Sequence, residues 1–159
     1  MSELKKYNAA NANYRLSMDI LSYLKLSTSL DNSQREKLFI EDICKRVQKN
    51  GTVIYLLRDG SETFGFIALS VSSIDTFPSL QVDYIFVSEP YRGVPLKTLD
   101  DSRTSTYLIE FAIEMAKDIQ ERVGLRYLVL LPDNDRLQSV YKDMGFQVLP
   151  KKEWMFIKL

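Results

Sequence analysis

Apolar positions recur with a helical period in the N-terminal part of the chain. A stripe over residues 17–26 predicts a first helix. A second stripe follows Ser33 and Glu36, which have the spacing of a capping box, and Asn50-Gly51 supplies the left-handed residues that end a helix. Residues 1–13 are polar and have no apolar period, so they either fray or add an edge strand.

Strand-like runs follow the second predicted helix. Residues 52–58 and 61–71 flank Asp59-Gly60, a pair that favours the positive φ of a tight turn, so they predict a β-hairpin. A predicted loop over residues 72–79 then leads to another strand over residues 80–87. The middle of the chain therefore predicts three consecutive strands.

Helices and strands alternate after that point. A polar loop over residues 91–103 precedes a long amphipathic helix that Gly124 ends. Residues 126–131 form a short apolar run, which is typical of a strand buried on both faces. A crossover leads from this strand to a short helix, which Asp133 or Asn134 caps.

The C-terminal segment completes the predicted sheet. Gly145 ends the short helix, and residues 146–149 and 154–159 look like a terminal hairpin around residues 150–152. This order of elements predicts one α/β domain over residues 1–159, in which helices cover the faces of a mixed sheet.

The composition excludes several kinds of catalyst. The sequence has no His and only one Cys, which rules out Ser-His-Asp and Cys-His nucleophile systems, histidine metal ligands and clustered thiolate zinc sites. Cys44 lies at helical spacing from apolar neighbours, which favours a buried thiol over a nucleophile. Catalysis would therefore use Tyr, Ser, Thr, Lys, carboxylates or backbone dipoles, and we expect no metal.

Charge and hydropathy indicate which binding partners and which cellular compartment we expect. Lys plus Arg and Asp plus Glu both number 21, which gives no sign of the strong positive field that tracks a nucleic-acid backbone. The sequence has no run of about 18 apolar residues that would span a bilayer, and its N-terminus lacks the apolar stretch of a signal peptide. We therefore expect a cytoplasmic protein with no membrane partner.

Two stretches carry a resemblance to a known superfamily. Residues 85–93 look like a strand that runs into a pyrophosphate-binding loop, and residues 134–146 match a pattern of Asn, Tyr and Gly-Phe directly after an apolar strand. With the order of elements, they make residues 52–159 similar to the GNAT superfamily of N-acetyltransferases. The resemblance implies a GNAT-like acyl-CoA N-acyltransferase fold, with a central mixed, mostly antiparallel sheet and helices on both faces.

The resemblance implies acetyl-CoA as the cosubstrate, bound by a strand, loop and helix over residues 80–123. In the family, the strand that begins this segment splays from its neighbour, and the pantetheine arm inserts between the two. The backbones of Ile85, Phe86 and Val87 would then hydrogen bond to that arm. The N-terminal helical region, residues 1–50, would lie on the substrate side.

The pyrophosphate loop departs from the family pattern. After Arg92 and Gly93 the usual glycines are missing, and Pro95 and Lys97 stand where small residues are expected. We expect an insertion that moves the phosphate-facing helix start to Arg103. Arg92 and Arg103 suit bidentate pairing with phosphate, although each is also compatible with a solvated side chain. Three following residues would supply amides and hydroxyls in place of the glycines: Thr104, Ser105 and Thr106.

The resemblance also implies catalytic roles. Tyr141 matches the acid that protonates the departing thiolate, although its place in an apolar stripe also fits plain packing. Asn134 matches a residue that contacts the coenzyme, and a helix cap is compatible with that role. Asp83, or alternatively Glu89, would take the proton from the amine, while a structural or surface role suits Asp83 equally well. The Val87 amide would be the oxyanion donor.

These inferences predict an N-acetyltransferase that moves acetyl from acetyl-CoA to a primary amine of a small molecule or peptide by direct attack. Two alternatives stay open. Residues 64–70 and 154–159 look like strands of GNAT toxins that acetylate aminoacyl-tRNA, which would make tRNA a partner. The altered loop instead suggests a catalytically silent acyl-CoA-binding or regulatory module. A terminal strand in a mixed sheet would also allow a homodimer.

Overall fold

The computed structural model describes residues 1–150 and 153–159. Lys151 and Lys152, at the predicted turn of the terminal hairpin, lie outside the described residues. The helices are α1 (Leu16–Tyr23), α2 (Leu30–Gln48), α3 (Thr104–Arg122) and α4 (Asp135–Asp143). The strands are β1 (Ser2–Tyr7), β2 (Val53–Asp59), β3 (Glu62–Ile74), β4 (Phe77–Val87), β5 (Pro95–Leu96), β6 (Ser102–Arg103), β7 (Tyr127–Leu130), β8 (Gln147–Val148) and β9 (Met155–Lys158).

Within these ranges the strands form one mixed sheet and one small hairpin. The seven-stranded sheet has the order β1-β2-β3-β4-β7-β9-β8, and β5 pairs separately with β6. β1 pairs with β2 and β9 pairs with both β7 and β8 in antiparallel fashion, while β4 and β7 are parallel. The sheet is mostly antiparallel, which confirms the predicted fold class. The polar N-terminus forms the edge strand β1.

The chain divides into two compact units, one formed by residues 1–68 with 84–110 and the other by residues 69–83 with 111–159. In the first unit, the apolar stripes of α1 and α2 pack with alternate residues of β2, β3 and β4. The core cluster includes Ile20, Ile40, Ile43, Val47, Ile54, Leu56, Phe66, Ala68 and Phe86.

Cys44 belongs to this core and is 2% exposed. Burial, with a smaller effect from Glu41, raises the pKa of its thiol to about 12. The thiolate is the reactive form of cysteine, so this thiol is inert at neutral pH. The expectation of a buried Cys44 is confirmed.

The second unit has its own core around β7. Leu128, Val129 and Leu130 are all buried, as expected for a strand covered on both faces. α4 buries Tyr141, whose ring lies 6.0 Å from that of Phe146 in an edge-on contact. These residues hold α4 in place against its own unit.

α2 begins earlier than the capping-box pattern predicts. Its N-cap is Ser29, and Ser33 lies one turn inside the helix, where its hydroxyl donates to the Leu30 carbonyl at 3.0 Å. The Glu36 carboxylate accepts from the Ser27 amide at 2.8 Å instead of reaching back to Ser33. The predicted capping box is therefore wrong, because Glu36 has partners outside the helix.

β3 and β4 meet in a tight turn where the sequence predicted a loop over residues 72–79. β3 extends to Ile74 and β4 begins at Phe77, so Asp75 and Thr76 alone connect them, with φ values of 49° and 72°. Both values are left-handed, a conformation that Asp tolerates and β-branched Thr seldom adopts. The loop prediction was wrong because the glycine that usually marks such a turn is missing.

β3 approaches the end of β4 so closely that position 65 requires glycine. A Cβ on Gly65 would overlap the Phe86 carbonyl oxygen and lie 3.1 Å from both the Phe86 carbonyl carbon and the Val87 Cα. Beside this contact, the Ser88 amide donates to the Phe64 carbonyl at 2.8 Å. The missing side chain therefore helps to fix the backbone at the end of β4.

We expect Gly65→Ala to lower the free energy of unfolding by about 3 kcal/mol, because backbone atoms would have to move to admit the methyl group. Gly124→Ala is the matched control, since no atom lies within 4 Å of its Cβ position, and it should change stability by less than about 0.5 kcal/mol. Urea unfolding followed by circular dichroism measures both. Equal stability of the two variants would contradict the close approach.

Candidate active site

β4 extends beyond the last residue that pairs with its parallel neighbour, β7. The ladder with β7 ends at Val82, whereas β4 itself runs to Val87. The predicted pantetheine-binding residues lie in this continuation: Ile85, Phe86 and Val87. An extended backbone of this kind can form strand-like hydrogen bonds with an extended ligand.

The Arg92 side chain contacts three residues near the end of β4. Its Nε donates to the Val87 carbonyl at 2.8 Å, and its Nη1 donates to Ser27 Oγ at 2.7 Å. Its Nη2 pairs with Glu36 Oε2 at 3.2 Å. The guanidinium carbon also lies 5.3 Å from the centre of the Phe86 ring, a cation–π distance. Each nitrogen of the side chain predicted to bind phosphate therefore has a protein partner.

Ser27 and Glu36 are bound to each other as well as to Arg92. The Ser27 amide donates to Glu36 Oε1 at 2.8 Å, and the Ser27 hydroxyl binds Oε2 of the same carboxylate. We call Ser27, Glu36 and Arg92 the loop clasp, because they attach the α1–α2 loop and α2 to the end of β4. Glu36 is 13% exposed at its side chain, so the charge of the carboxylate is largely shielded from water and needs these partners.

Glu89, the alternative base, takes part in the same attachment. Its Oε2 accepts from the Thr28 amide at 2.8 Å, and its own amide donates to the Lys25 carbonyl at 3.0 Å. The Lys25 amide in turn donates to Ser88 Oγ at 3.0 Å. These three bonds join the α1–α2 loop to the 3-10 turn that follows β4.

The segment that the sequence predicts to be an altered pyrophosphate loop is a folded hairpin. β5 and β6 pair in antiparallel register, and Asp100 and Asp101 between them both adopt left-handed φ values, 54° and 64°. Leu99 is buried at 2% exposure, and Thr98 Oγ1 donates to Asp59 Oδ2 at 2.8 Å. Packing and hydrogen bonding therefore order this segment without the family glycines.

α3 starts directly after the hairpin. Thr104 is 1% exposed, and its hydroxyl has no hydrogen-bond partner among the residues that the structure describes. Ser105 and Thr106 follow half-buried in the first turn, Arg103 precedes them exposed, and Gly93 opens the loop with a φ of 71°. A buried unpaired hydroxyl at the N-terminus of a long helix suits an anionic ligand.

Asp83, the first candidate base, is oriented by two side chains of its own unit. Its Oδ1 accepts from Ser70 Oγ at 2.9 Å and from Gln81 Nε2 at 2.8 Å. Residues 81 and 83 share one face of β4, because side chains alternate along a strand. The carboxylate therefore belongs to a polar row that runs along this face.

α4 holds the remaining two predicted site residues. Asn134 Oδ1 accepts from the Leu137 amide at 2.9 Å, which confirms the predicted cap. Burial, with a smaller contribution from Asp133, raises the pKa of Tyr141 from 10.0 to about 12. Tyr141 is therefore neutral at neutral pH, and burial makes it a weaker acid than a free tyrosine.

The predicted site residues fall into two groups, one in each unit. The first unit holds Ile85, Phe86, Val87, Glu89, Arg92, Gly93, Arg103, Thr104, Ser105 and Thr106, and the second holds Asp83, Asn134 and Tyr141. Sequence reasoning missed Ser27 and Glu36, which lie 65 and 56 residues from Arg92. No local spacing indicates contacts at that separation.

We expect Arg92→Ala to lower the free energy of unfolding by about 2 kcal/mol, because it leaves the shielded Glu36 carboxylate without its cation. Arg122→Ala is the matched control. Its guanidinium is 79% exposed and lies 3.9 Å from Asp118, so its loss should cost less than about 0.5 kcal/mol. Urea unfolding measures the difference. Unchanged stability of Arg92→Ala combined with weaker acetyl-CoA binding would instead make Arg92 a phosphate ligand.

Residues 1–150 and 153–159 contain neither a metal-binding cluster nor a membrane-spanning helix. No group of His, Cys, Asp and Glu there has an arrangement that would hold a metal ion. No helix in the same ranges is long and apolar enough to cross a membrane.

Comparisons with known proteins identify the fold. A scan of family models and a search of the curated proteins give no match to this chain. Solved structures do match. AtaTR bound with acetyl-CoA has a TM-score of 0.70 at 15% identity, covering 99% of this chain and 92% of the other. AtaT complexed with acetyl-methionyl-tRNAfMet has a TM-score of 0.70 at 13% identity, covering 99% and 95%. KacTA in complex with DNA has a TM-score of 0.66 at 17% identity, covering 98% and 93%. The chain therefore has the GNAT fold, as these toxins do.

Proposed function

We propose that this chain is an acetyl-CoA-dependent N-acetyltransferase whose acceptor is the amine of an aminoacyl-tRNA. The observation that carries the proposal is the fold shared with AtaT over nearly the full length of both chains. AtaT has been solved with acetyl-methionyl-tRNAfMet, and AtaTR with acetyl-CoA. The comparisons favour an aminoacyl-tRNA over the small-molecule or peptide amine that the sequence favoured.

The start of α3 supports the binding of acetyl-CoA. A pyrophosphate accepts hydrogen bonds, and the first turn of this helix offers amides together with the buried Thr104 hydroxyl. Among the predicted ligands, Arg103 is the exposed cation beside this turn. Arg92 has a different role in our proposal, because the loop clasp already uses its nitrogens.

The proposed reaction is a direct transfer. The acceptor nitrogen attacks the thioester carbonyl as a neutral amine, a carbon–nitrogen bond forms, and the carbon–sulfur bond breaks. The nitrogen must lose a proton and the departing thiolate gains one. No metal, His or Cys is needed for these steps.

Three groups of this chain suit these steps. Tyr141 is protonated at neutral pH and its hydroxyl is the proposed proton donor for the thiolate, while burial, which raises its pKa to about 12, makes it a weaker acid than a free tyrosine. Asp83 is the first candidate to take the proton from the amine and Glu89 is the alternative, since each carboxylate already accepts hydrogen bonds, Asp83 from Ser70 and Gln81 and Glu89 from the Thr28 amide. The Val87 amide would donate to the developing oxyanion.

We expect Thr104→Val to weaken acetyl-CoA binding about tenfold, because it removes a donor to a charged ligand while keeping the shape of the side chain. Thr63→Val, a buried threonine of β3, is the matched control and should leave the affinity unchanged. Isothermal titration calorimetry with acetyl-CoA measures both. An unchanged dissociation constant for Thr104→Val would remove this hydroxyl from the site.

We expect Tyr141→Phe to lower the rate of acetyl transfer at least tenfold without weakening acetyl-CoA binding, because it removes only the proton donor. The deficit should persist at every pH below 10, where the buried hydroxyl remains protonated. Tyr7→Phe, at another buried tyrosine, should keep the wild-type rate. Thiol release measured against pH checks this prediction. An unchanged rate for Tyr141→Phe would mean that Tyr141 has only a packing role and is not the proton donor.

The acceptor class is tested by offering charged tRNA, the same tRNA after deacylation, peptide N-termini and small amines, with thiol release as the readout. Our proposal predicts release only with charged tRNA. Release with free amines alone would favour the small-molecule enzyme. Tight binding of acetyl-CoA with no release for any acceptor would favour a silent acyl-CoA-binding module.

A further inference from the structure

The outer face of α2 carries a self-complementary pattern of charge. Five exposed residues lie on one stripe of this helix, because they are spaced alternately four and three residues apart, which matches the helical period. In chain order they are an acid, a base, a leucine, an acid and a base: Asp31, Arg35, Leu38, Asp42 and Lys45. We call them the outer stripe. In the reverse order, every acid takes the place of a base and every base takes the place of an acid.

The outer stripe faces away from the sheet. The opposite side of α2 is occupied by the core, where Ile40, Ile43, Cys44 and Val47 are buried. Side chains on the other side of the same helix therefore point into solvent, and all five residues of the stripe are exposed. This face of α2 is available to a partner.

Apolar surface remains uncovered at the centre of this face. Leu38 is 67% exposed, and the neighbouring Phe39 is 50% exposed although its ring stacks on that of Tyr84 at 5.5 Å. At the start of the helix, Leu30 is 70% exposed. Covering these side chains would remove apolar area from water and so favour association.

An antiparallel contact between two copies of α2 would satisfy the charges of the outer stripe. With Leu38 at the centre, Arg35 lies opposite Asp42 of the second copy, and Asp31 lies opposite Lys45 of the second copy. A two-fold axis repeats each of these pairs on the other side of the apolar centre. Antiparallel packing also places the positive end of each helix dipole beside the negative end of the other. A parallel contact in the same register would instead bring like charges together.

Ion pairs within α2 are the alternative use of these charges. Asp31 and Arg35 are four residues apart and Asp42 and Lys45 are three apart, spacings at which side chains meet on a helix surface. Such pairs would explain the charges but not the exposed leucine between them. Arg35 Nη2 donates to Asn32 Oδ1 at 3.3 Å in an exposed bond, and a guanidinium has further donors for an acid of a second copy.

We propose that this chain forms a two-fold symmetric dimer through the outer stripe of α2. The helix has 19 residues and is about 28 Å long, so one helix pair covers less than a standard interface of about 1,600 Å². We therefore expect a dissociation constant in the micromolar range. This surface differs from the terminal strand, and the inference does not depend on the proposed reaction.

Sedimentation velocity of the purified protein tests whether the dimer exists. We expect the average mass to rise from one chain toward two as the concentration is raised through the micromolar range. The dimer should weaken when salt is added, because exposed ion pairs are screened. A single-chain mass at every concentration would overturn the proposal.

Two charge reversals test which surface is used. In Arg35→Glu, the new carboxylate would face Asp42 of the second copy, and in Asp42→Arg the new guanidinium would face Arg35 of the second copy. Each contact occurs twice in a two-fold dimer, so each variant should weaken the dimer at least tenfold. Lys117→Glu, which reverses an exposed charge on α3, is the matched control and should keep the wild-type dissociation constant. A wild-type dimer in either stripe variant would overturn the proposal.

Mixing the two variants separates pairing between chains from pairing within one helix. An equimolar mixture of Arg35→Glu and Asp42→Arg should dimerise, because each reversed charge then meets its opposite on the other chain. The double variant should dimerise on its own for the same reason, which would also show that the substituted helix is folded. Failure of both the mixture and the double variant to dimerise would overturn the pairing of Arg35 with Asp42.

Discussion

The geometry of the candidate site depends on how the chain is held after β4 passes the end of its ladder with β7. Beyond that point β4 keeps β3 as its sheet neighbour, and side-chain contacts add to this pairing. Arg92 binds the Val87 carbonyl and, through Ser27 and Glu36, attaches it to the α1–α2 loop. From the other side, Gly65 lets β3 approach the Phe86 carbonyl. Both constraints act on the backbone that the family resemblance links to the pantetheine arm.

The segment predicted to bind pyrophosphate is also fixed by contacts that are distant in the sequence. The family uses glycines so that the backbone can turn tightly and approach the pyrophosphate. This chain instead folds a short hairpin, ordered by the buried Leu99 and by the bond from Thr98 to Asp59. The hairpin leads directly into α3 and its buried, unpaired Thr104 hydroxyl. A longer loop can therefore retain a helix start suited to an anion.

Local sequence patterns correctly predicted the elements that are determined by interactions between residues close in the sequence. The apolar period, Asn134 as a cap and the Asp59-Gly60 turn all agree with the structure. The capping box at Ser33 was wrong because Glu36 binds Ser27 and Arg92, and no local pattern encodes that competition. The Asp75-Thr76 turn was missed because left-handed φ values there occur without glycine. The resemblance identified candidate site residues, but it did not indicate that Arg92 would have three protein partners.

The central claim is that the chain acetylates the amine of an aminoacyl-tRNA, and the product itself tests it most directly. A pool of charged tRNA would be incubated with acetyl-CoA and the protein and then digested with ribonuclease. Mass spectrometry would identify the released aminoacyl-adenosines. Our account predicts that the mass of one acetyl group is added to the aminoacyl part. Unmodified aminoacyl-adenosines, despite binding of acetyl-CoA by the same preparation, would contradict it.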